Sequence, residues 1–245
     1  MILVPQEGVL YNLFMRLDGY VSKFSGFSRS QSRKMIRSQR VVVNGRVVDT
    51  PSASVSANDE VLLDGKHIKT FGMVYIALNK PGGFVCSRER DEGENVFDLI
   101  DEVFSAELSI AGRLDKDTTG LVILSNDGEF IHNVISPNKL VEKEYFVETV
   151  NEITSDEISL LSQGVSIGDE EFSMPVSVEE LDSFHLRIVL TEGRYHEVKR
   201  LVLAVGNKVR NLHRNRIGAY YLPDRLSPGK WIYLSETDRK RITGT

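Results

Sequence analysis

Apolar residues near the start of the chain recur at helical spacing. Four of them lie between positions 17 and 24, and Gly26 ends the run, which predicts a short amphipathic helix. Ser28 or Ser30 can cap a second helix behind it. Residues 41–48 then form two β-branched runs around Asn-Gly, the dipeptide that most readily takes the positive φ angles of a hairpin turn. Helix, helix and hairpin together predict a compact module.

Strand-like and helix-like patterns alternate through the rest of the chain. Short apolar runs predict strands, whereas apolar residues three and four apart predict helices. The elements interleave without the regular order of a parallel sheet, so we predict a mixed, mainly antiparallel α+β domain. Strands are expected at 74–78, 121–124, 145–150 and 186–190, and helices at 130–135, at 154–161 behind a capping box of Thr154 and Glu157, and from Tyr195 to Gly206.

These patterns divide the chain into four parts. Residues 1–14 are an N-terminal extension to which we assign no function. The helix-helix-hairpin module occupies residues 15–65, and residues 66–73 are a linker. The α+β domain fills residues 74–245.

Composition limits the classes of protein that fit. A chain of 245 residues with 41% hydrophobic residues can bury a sizeable core. It has no run of about 20 apolar residues and no secretory pattern at its N-terminus, so a cytoplasmic protein without a membrane contact is expected. Cys86 is the only cysteine, and the five histidines are scattered, so neither a metal nor another cofactor is expected.

The distribution of charge points to a polyanionic partner, although the net charge of −5 alone argues against nucleic acid. Residues 15–50 hold eight basic residues against two acidic ones, and residues 193–216 hold seven against one. Within the first of these regions, four arginines fall on one face of the predicted second helix and form a candidate phosphate-binding surface: Arg29, Arg33, Arg37 and Arg40. An ordinary solvated helix face is the alternative interpretation.

Residues 16–65 resemble a known RNA-binding module. The order of elements, the serine-arginine start of the second helix and the closing Val-Asn-Gly-Arg-Val-Val resemble the small domain first recognised in a small-subunit ribosomal protein, also called the alpha-L motif. The resemblance implies contacts with the RNA backbone, which position a substrate without reading its sequence. The residues that it implicates are Arg29, Arg33, Lys34, Arg37 and Arg46.

Arg113 and Asp115 are the first candidates for chemistry. They are two residues apart, so they project to the same side of an extended backbone, and Gly112 and Gly120 bracket them among turn-forming residues. Taken alone, the pair is better explained as a structural salt bridge in a loop, and spacing cannot overturn that interpretation.

Four longer segments resemble the RsuA branch of the pseudouridine synthases. Residues 112–128 are similar to that family's catalytic motif, and Asn79-Lys80-Pro81 with Cys86 is similar to its first strand and loop. Residues 142–147 resemble its central Lys-x-Tyr strand, and residues 192–201 its late helix. The resemblance covers residues 15 to about 235. It implies a monomeric enzyme that isomerises a specific uridine of 16S ribosomal RNA, of the uridine-516 type, with no cofactor.

The resemblance also implies roles for single residues. Asp115 is the catalytic carboxylate, Arg113 helps to hold open the space left by the extruded uridine, and Tyr145 stacks on uracil. Lys199 pairs with Asp115 at a position where many relatives have arginine. Leu201 either packs near the base or belongs to the core. Structural roles are expected for Lys80, Cys86, Lys143 and Arg194, and Arg194 and Arg200 also belong to the second basic region. His196 either contacts RNA or makes a hydrogen bond in the core, of which the second is favoured.

Three rival interpretations remain. A non-catalytic RNA-binding assembly factor could be built on the same module, although the presence of Asp115, Tyr145 and Lys199 argues against it. A hydrolase could use Asp115 and Asp117 as an acid pair, but neighbouring turn residues are expected to point in opposite directions. A sister enzyme acting on large-subunit ribosomal RNA or on transfer RNA is the competitor within the same family.

Overall fold

The computed structural model describes residues 14–56, 58–89, 93–168 and 170–244. The chain forms two compact units: the first takes the N-terminal residues as far as Val74 together with Asp101–Leu108, and the second takes Tyr75–Ile100 and the residues from Ser109 onward. Apart from Phe14, the N-terminal extension lies outside the described residues. None of the described helices combines the length and the apolar character that crossing a bilayer requires.

In the residues that the structure describes, the first unit contains two α-helices and six short strands. The strands form a four-stranded sheet in the order β3-β2-β5-β6 and a separate pair, β1-β4. Asp101–Leu108 adds a 3-10 helix, Val103–Glu107, to this unit. The bounds are β1 (Met15–Arg16), α1 (Leu17–Ser25), α2 (Arg29–Arg37), β2 (Val41–Val43), β3 (Arg46–Val47), β4 (Ser54–Val55), β5 (Val61–Leu63) and β6 (Lys66–His67).

Local sequence signals fix the boundaries of these two helices. Gly26 ends α1 in the left-handed conformation, with a φ of 73°. The Ser28 side chain accepts a hydrogen bond from the Gln31 amide at 3.2 Å, and the Gln31 side chain accepts one from the Ser28 amide at 2.8 Å. Both predicted helices are therefore confirmed. Arg40, however, lies beyond the end of α2, so the prediction that it shares the helix face was wrong.

The predicted hairpin is present and belongs to a larger sheet. Asn44 and Gly45 have φ angles of 48° and 76°, as a tight turn with two left-handed residues requires. β2 also pairs with β5 on its other side, and β5 pairs with β6. The sequence assigned Lys66–His67 to a linker, because a two-residue strand has no periodicity to detect.

The core of the first unit joins the helices to the sheet. Edge-on aromatic contacts extend it, with ring centroids 5.0 Å apart for Phe24 and Phe71 and 5.8 Å apart for Phe71 and Phe104. This contact explains why Asp101–Leu108 belongs to the first unit. The buried apolar side chains are Leu17, Tyr20, Val21, Ile36, Val41, Val55 and Val61.

The second unit is built on a nine-stranded sheet. Seven strands follow the order β13-β14-β10-β15-β9-β7-β17, with β16 paired to β15 and β8 to β9, while β11 and β12 form a separate pair. The strands are β7 (Tyr75–Lys80), β8 (Ser109–Ala111), β9 (Thr119–Ser125), β10 (Lys143–Thr149), β11 (Val165–Ser166), β12 (Phe172–Ser173), β13 (Ser177–Asp182), β14 (His185–Leu190), β15 (Val209–Ile217), β16 (Tyr220–Tyr221) and β17 (Trp231–Tyr233). The helices are α3 (Gly128–Ile135), α4 (Ser155–Gln163), α5 (Glu197–Ala204) and α6 (Glu236–Thr243), with 3-10 turns at Val96–Leu99 and Pro137–Lys139.

Strand directions confirm the predicted mixed, mainly antiparallel α+β architecture. Within this sheet, as far as the described residues show it, β9 and β15 are parallel and the remaining pairs are antiparallel. β15 was not predicted, because its alternating charged and polar residues resemble an exposed segment. β9 and β7 are almost wholly buried, and the side chains packed around them include Leu121, Ile123, Phe130, Val134, Ile217 and Ile242.

The sequence predicted α3, α4 and α5 but not α6. Thr154 and Glu157 make both hydrogen bonds of the predicted capping box that begins α4, and Gly164 follows its end. α5 was expected to start at Tyr195 but starts at Glu197. His196 has a φ of 51° and a left-handed backbone, which cannot continue a right-handed helix.

Gly120 lies opposite Arg214 where β9 pairs with β15. Its φ is 103°, and a Cβ atom built on it would lie 2.3 Å from the carbonyl oxygen of Arg214 and 2.9 Å from its amide nitrogen. Both atoms are backbone, so neither can move without disturbing the strand pair. Only glycine fits this position.

We expect Gly120→Ala to lower the free energy of unfolding of the second unit by about 2 kcal/mol or more. Trp231 is the only tryptophan of the chain and lies in β17, so its fluorescence during urea unfolding reports on this unit. Gly128→Ala is the control, because nothing lies within 4 Å of its added methyl group. Equal unfolding midpoints for the two variants would contradict the packing described for Gly120.

Candidate active site

The loop between β8 and β9 carries Asp115, and a buried lysine holds one side of it. Lys80, at the end of β7, is fully buried. Its ammonium donates hydrogen bonds to the carbonyls of Lys116 at 3.1 Å, Thr118 at 2.6 Å and Pro81 at 3.1 Å. Burial lowers the pKa of Lys80 from its usual value. Three carbonyl acceptors compensate the lost hydration and fix the backbone on both sides of Asp117.

A buried arginine holds the other end of the same loop. Arg214, in β15, donates from Nε to the Leu121 carbonyl at 2.8 Å and from a terminal nitrogen to the Gly112 carbonyl at 2.7 Å. The Leu114 amide also lies 3.4 Å from the Cys86 sulfur. Residues 112–121 are therefore held at both ends before any substrate arrives. The sequence placed Arg214 only within a basic segment and predicted no such role for it.

Two side chains of the α5 region, those of Lys199 and His196, face Asp115. The Lys199 ammonium lies 2.9 Å from Oδ2, and Nε2 of His196 lies 3.4 Å from Oδ1. The Asp115 side chain is 25% exposed, so solvent or a substrate can reach it. The structure thus brings together the two residues, Asp115 and Lys199, that the sequence singles out as a catalytic pair.

Asp117 shares the same ammonium. Its Oδ1 lies 2.6 Å from Lys199 Nζ, while the rest of its side chain is 75% exposed. Burial opposes the charge of Lys199, but hydrogen bonds to Asp117 and Asp115 outweigh it and raise the lysine pKa. The pKa of Asp117 is lowered: burial opposes this shift, and the hydrogen bond from Lys199 outweighs it. The expectation that the two carboxylates point in opposite directions was wrong.

His196 differs from its expected role. The sequence favoured a hydrogen bond in the core, whereas the ring reaches Asp115 and is 37% exposed. Its plane stacks on Tyr195, with ring centroids 3.8 Å apart and planes inclined by 21°. The left-handed backbone at His196 turns the chain sharply before α5 begins. No periodic pattern in the sequence could have shown this geometry.

Tyr145, Leu201 and Arg113 do not contact Asp115 through any hydrogen bond or ion pair within the described residues. Tyr145 is buried in β10, and strand register aligns it with Arg214 and, one strand further, with Gly120 at the end of the loop. Leu201 is completely buried in α5. Arg113 is exposed. Their roles toward a nucleotide remain predictions.

A shallow cavity of about 250 Å³ lies beside Asp117. Within its lining, the Thr119 hydroxyl and Nδ1 of His213 are 2.9 Å apart, and burial lowers the pKa of His213. The imidazole is therefore neutral at pH 7. The lining consists of Asp117, Thr119, Phe146, Val147, Glu148, His185, Asn211, Leu212 and His213. In the described parts of the chain, no three histidine, cysteine, aspartate or glutamate side chains are grouped to hold a metal ion.

The two late arginines proposed for RNA binding already have partners in the protein. Arg200 donates to Glu171 at 2.6 Å and to the Ile167 carbonyl at 2.7 Å. Arg194 lies 2.5 Å from Glu192 and donates to the Phe172 carbonyl at 2.7 Å. Both therefore brace the segment that precedes and begins α5, and any contact with RNA would have to share these bonds.

The predicted arginine surface of α2 is organised by a buried acid. Asp18 is fully buried, and Arg16 and Arg33 bind it at 3.1 Å and 2.9 Å, with Arg29 at 3.9 Å. The hydrogen bond from Arg16 is the largest of the effects that hold the pKa of Asp18 far below its usual value. All three guanidinium groups keep about half of their surface exposed.

The remaining basic residues of this surface fall into two groups. Arg40 is bound through both nitrogens of its fork to Asp64, at 2.8 Å and 2.5 Å. Lys34, Arg37 and Arg46 are exposed, and none of them has an ion pair within the described residues. These three are therefore the most available for phosphate.

Comparison with known proteins agrees with this arrangement. The model of the RNA pseudouridylate synthase family matches residues 74–204, and the S4 domain model matches residues 15–61. The chain belongs to the RNA pseudouridylate synthase family. Members of this family are isomerases, and this pseudouridine synthase carries an S4 RNA-binding domain in front of its catalytic fold.

Curated relatives span nearly the whole chain. The ribosomal small subunit pseudouridine synthase A of Pasteurella multocida is 38% identical over 90% of this chain and 96% of its own length. The protein of the same name from Escherichia coli is 37% identical over 91% of this chain and 98% of its own length. A crystal structure of a pseudouridylate synthase superposes with a TM-score of 0.67 at 34% identity, over 93% of this chain and 99% of that one. The predicted family and fold class are confirmed.

We expect Lys80→Met to lower both stability and pseudouridine formation. The substitution leaves two carbonyls of the loop and the Pro81 carbonyl without their donor, which costs about 1–3 kcal/mol for each carbonyl that stays dry. Trp231 fluorescence during urea unfolding measures the first effect, and the rate of pseudouridine formation measures the second. Lys139→Met, at an exposed lysine, is the control. Wild-type rates in Lys80→Met would show that the loop does not need this support.

Proposed function

We propose that this pseudouridine synthase isomerises a specific uridine of 16S ribosomal RNA, at the position known as uridine 516, with Asp115 as the catalytic carboxylate. The observation that carries the proposal is the pairing of Asp115 with Lys199 on a loop fixed by Lys80 and Arg214. Relatives named for the small ribosomal subunit, similar over about 90% of the chain, support the substrate.

The reaction needs one carboxylate and a shaped site. The N1–C1′ bond breaks, the uracil rotates, a C5–C1′ bond forms, and the C5 proton is lost while N1 gains one, so the atoms balance without oxidant or co-reactant. Asp115 acts as nucleophile or base in this sequence. Lys199, 2.9 Å away, supplies a counter-charge in a partly dry site, where such a charge acts strongly.

A lysine at this position suits the local arrangement of two carboxylates. An ammonium has three donors that can point to different acceptors, whereas the planar fork of arginine favours bidentate contact with one carboxylate. Lys199 reaches Asp115 and Asp117 at the same time. The absence of the family's more usual arginine is therefore compatible with a working pair in this chain.

The other predicted site residues have supporting roles in the proposal. Tyr145 provides the stacking face for uracil, and strand register aligns it with Arg214 and, one strand further, with Gly120. Leu201, in α5, supports the stacked base. Arg113 is exposed and can meet the RNA backbone as the uridine leaves its stack. The S4 domain positions the RNA through exposed basic side chains such as Lys34, Arg37 and Arg46. An enzyme of this kind works as a monomer in the cytoplasm.

The first test separates the two carboxylates that share Lys199. We expect Asp115→Asn to abolish pseudouridine formation, because the amide can serve neither as nucleophile nor as base. Asp117→Asn is the matched control and should retain activity within about tenfold, since it removes only an exposed partner of the lysine. Tritium release from 5-labelled uridine in transcribed 16S ribosomal RNA measures both.

Four outcomes are informative. Turnover near wild type in Asp115→Asn would overturn the assignment of the catalytic residue. A reversed result, with Asp117→Asn inactive, would move the chemistry to the neighbouring carboxylate. Pseudouridine formation only in large-subunit or transfer RNA would replace the proposed substrate. So would a deletion strain that keeps the pseudouridine at position 516 but loses one in large-subunit or transfer RNA.

The second test concerns the basic surface of the S4 domain. We expect Arg37→Ala to reduce the slope of log binding constant against log salt concentration by roughly 0.7 to 0.9, the contribution of one phosphate contact. Arg40→Ala is the matched control, because its guanidinium is already bound to Asp64 and its slope should change less. Binding of 16S ribosomal RNA across a salt series provides the slopes. The same slope in wild type and Arg37→Ala would exclude this residue from phosphate binding.

A further inference from the structure

Tyr195 is the most exposed large aromatic or aliphatic side chain that the structure describes. It is 77% exposed, although an aromatic ring in water forgoes the free energy that burial would bring. It lies in the turn that precedes α5, next to the residues that face Asp115. Its ring is therefore accessible to a ligand that approaches Asp115.

One face of the Tyr195 ring is already stacked. His196 covers it at a centroid distance of 3.8 Å, and His196 in turn lies 3.4 Å from the Asp115 carboxylate. The two rings therefore form a short column whose inner member touches the catalytic group. The outer face of Tyr195 remains open to solvent.

The backbone beneath this column is held from two sides. Arg200 donates to the Tyr195 carbonyl at 3.3 Å while Glu171 binds the same guanidinium group. The buried carboxylate of Glu197 accepts hydrogen bonds from the Arg194 amide at 3.0 Å and from the Ser173 hydroxyl at 2.8 Å. The turn is thus fixed in advance, which reduces the entropy that a ligand must lose to bind it.

We propose that the Tyr195–His196 column is a binding site for an unpaired nucleobase next to the target uridine. When a uridine leaves the RNA stack, its neighbours lose a stacking partner, and an exposed aromatic face can replace it whatever the base. A base on Tyr195 forms the third layer of a column whose first layer touches Asp115. This inference rests on the proposed function, because it takes RNA as the substrate.

The position of the open aromatic face favours a nucleic acid over a protein partner. Tyr195 stacks on His196, which lies beside the carboxylate that an RNA substrate has to reach. Most basic residues of 193–216 are already paired within the protein, so this surface offers stacking rather than an excess of positive charge. An exposed aromatic ring that can stack on any base is typical of single-stranded nucleic-acid sites.

Fluorescence of 2-aminopurine tests stacking directly. The probe is a fragment of 16S ribosomal RNA with 2-aminopurine beside the target uridine, on the 5′ side in one sample and on the 3′ side in another, bound to full-length protein carrying Asp115→Asn. On one side we expect quenching that Tyr195→Ala abolishes and Tyr195→Phe retains. Tyr221→Ala is the control, because Tyr221 is also exposed but its ring lies beside Arg216.

Steady-state kinetics of the active enzyme, which retains Asp115, gives a second measurement. We expect Tyr195→Ala to raise KM by roughly tenfold, the effect of one lost base stack, with a smaller change in kcat. Removing the flanking base from the RNA, with an abasic nucleotide, should raise KM similarly. Combining the two changes should add little further, because both delete the same contact.

The outcomes separate this inference from the proposed function. Two results would overturn the stacking site even when pseudouridine forms normally. One is quenching that persists in Tyr195→Ala with the probe on either side of the target uridine. The other is a KM for the combined changes that equals the product of the separate effects of Tyr195→Ala and of the abasic nucleotide. Quenching that depends on Tyr195, together with no pseudouridine formation by the protein that retains Asp115, would support the stacking site and contradict the proposed reaction.

Discussion

Two buried cations that hydrogen-bond to backbone carbonyls hold the catalytic loop in place. Lys80 and Arg214 are both almost completely buried, and among the described residues their hydrogen-bond acceptors are carbonyl oxygens rather than carboxylates. Removing such charges from water is expensive unless their donors are satisfied, and here the loop supplies the acceptors. These hydrogen bonds offset the cost of burial, and they fix the backbone on either side of Asp115. The carboxylate consequently remains available to Lys199 and to a substrate.

Local signals made much of the architecture predictable. Ser28, Gly26 and the Thr154 capping box each act within four residues, and the structure places helix boundaries where they indicate. The Asn44–Gly45 turn is equally local. The start of α5 was misplaced because the left-handed backbone at His196 has no marker such as glycine. Local preference therefore predicts elements well where a specific side chain enforces it.

The site was predictable only in part, for the same physical reason. Asp115 and Lys199 were found because the motifs around them resemble a known family, whereas spacing alone favoured a surface salt bridge for Asp115. Arg214 donates a hydrogen bond to Gly112, about a hundred positions away along the chain, and the buried Asp18 binds arginines of α2. Neither relation leaves a periodic pattern in the sequence. Such contacts depend on sheet order, which local preferences do not determine.

The parallel pairing of β9 and β15 determines how much of the chain must be synthesised and folded before the active site is complete. Because Arg214 belongs to β15, the loop that carries Asp115 cannot be fixed at both ends until the chain has been synthesised past residue 214. Five strands and three α-helices lie between β9 and β15 along the chain. Closing so long a connection is entropically slow compared with forming a hairpin. A nascent or truncated chain that ends before β15 therefore lacks the completed site, and activity arises late in synthesis, as a property of the finished sheet.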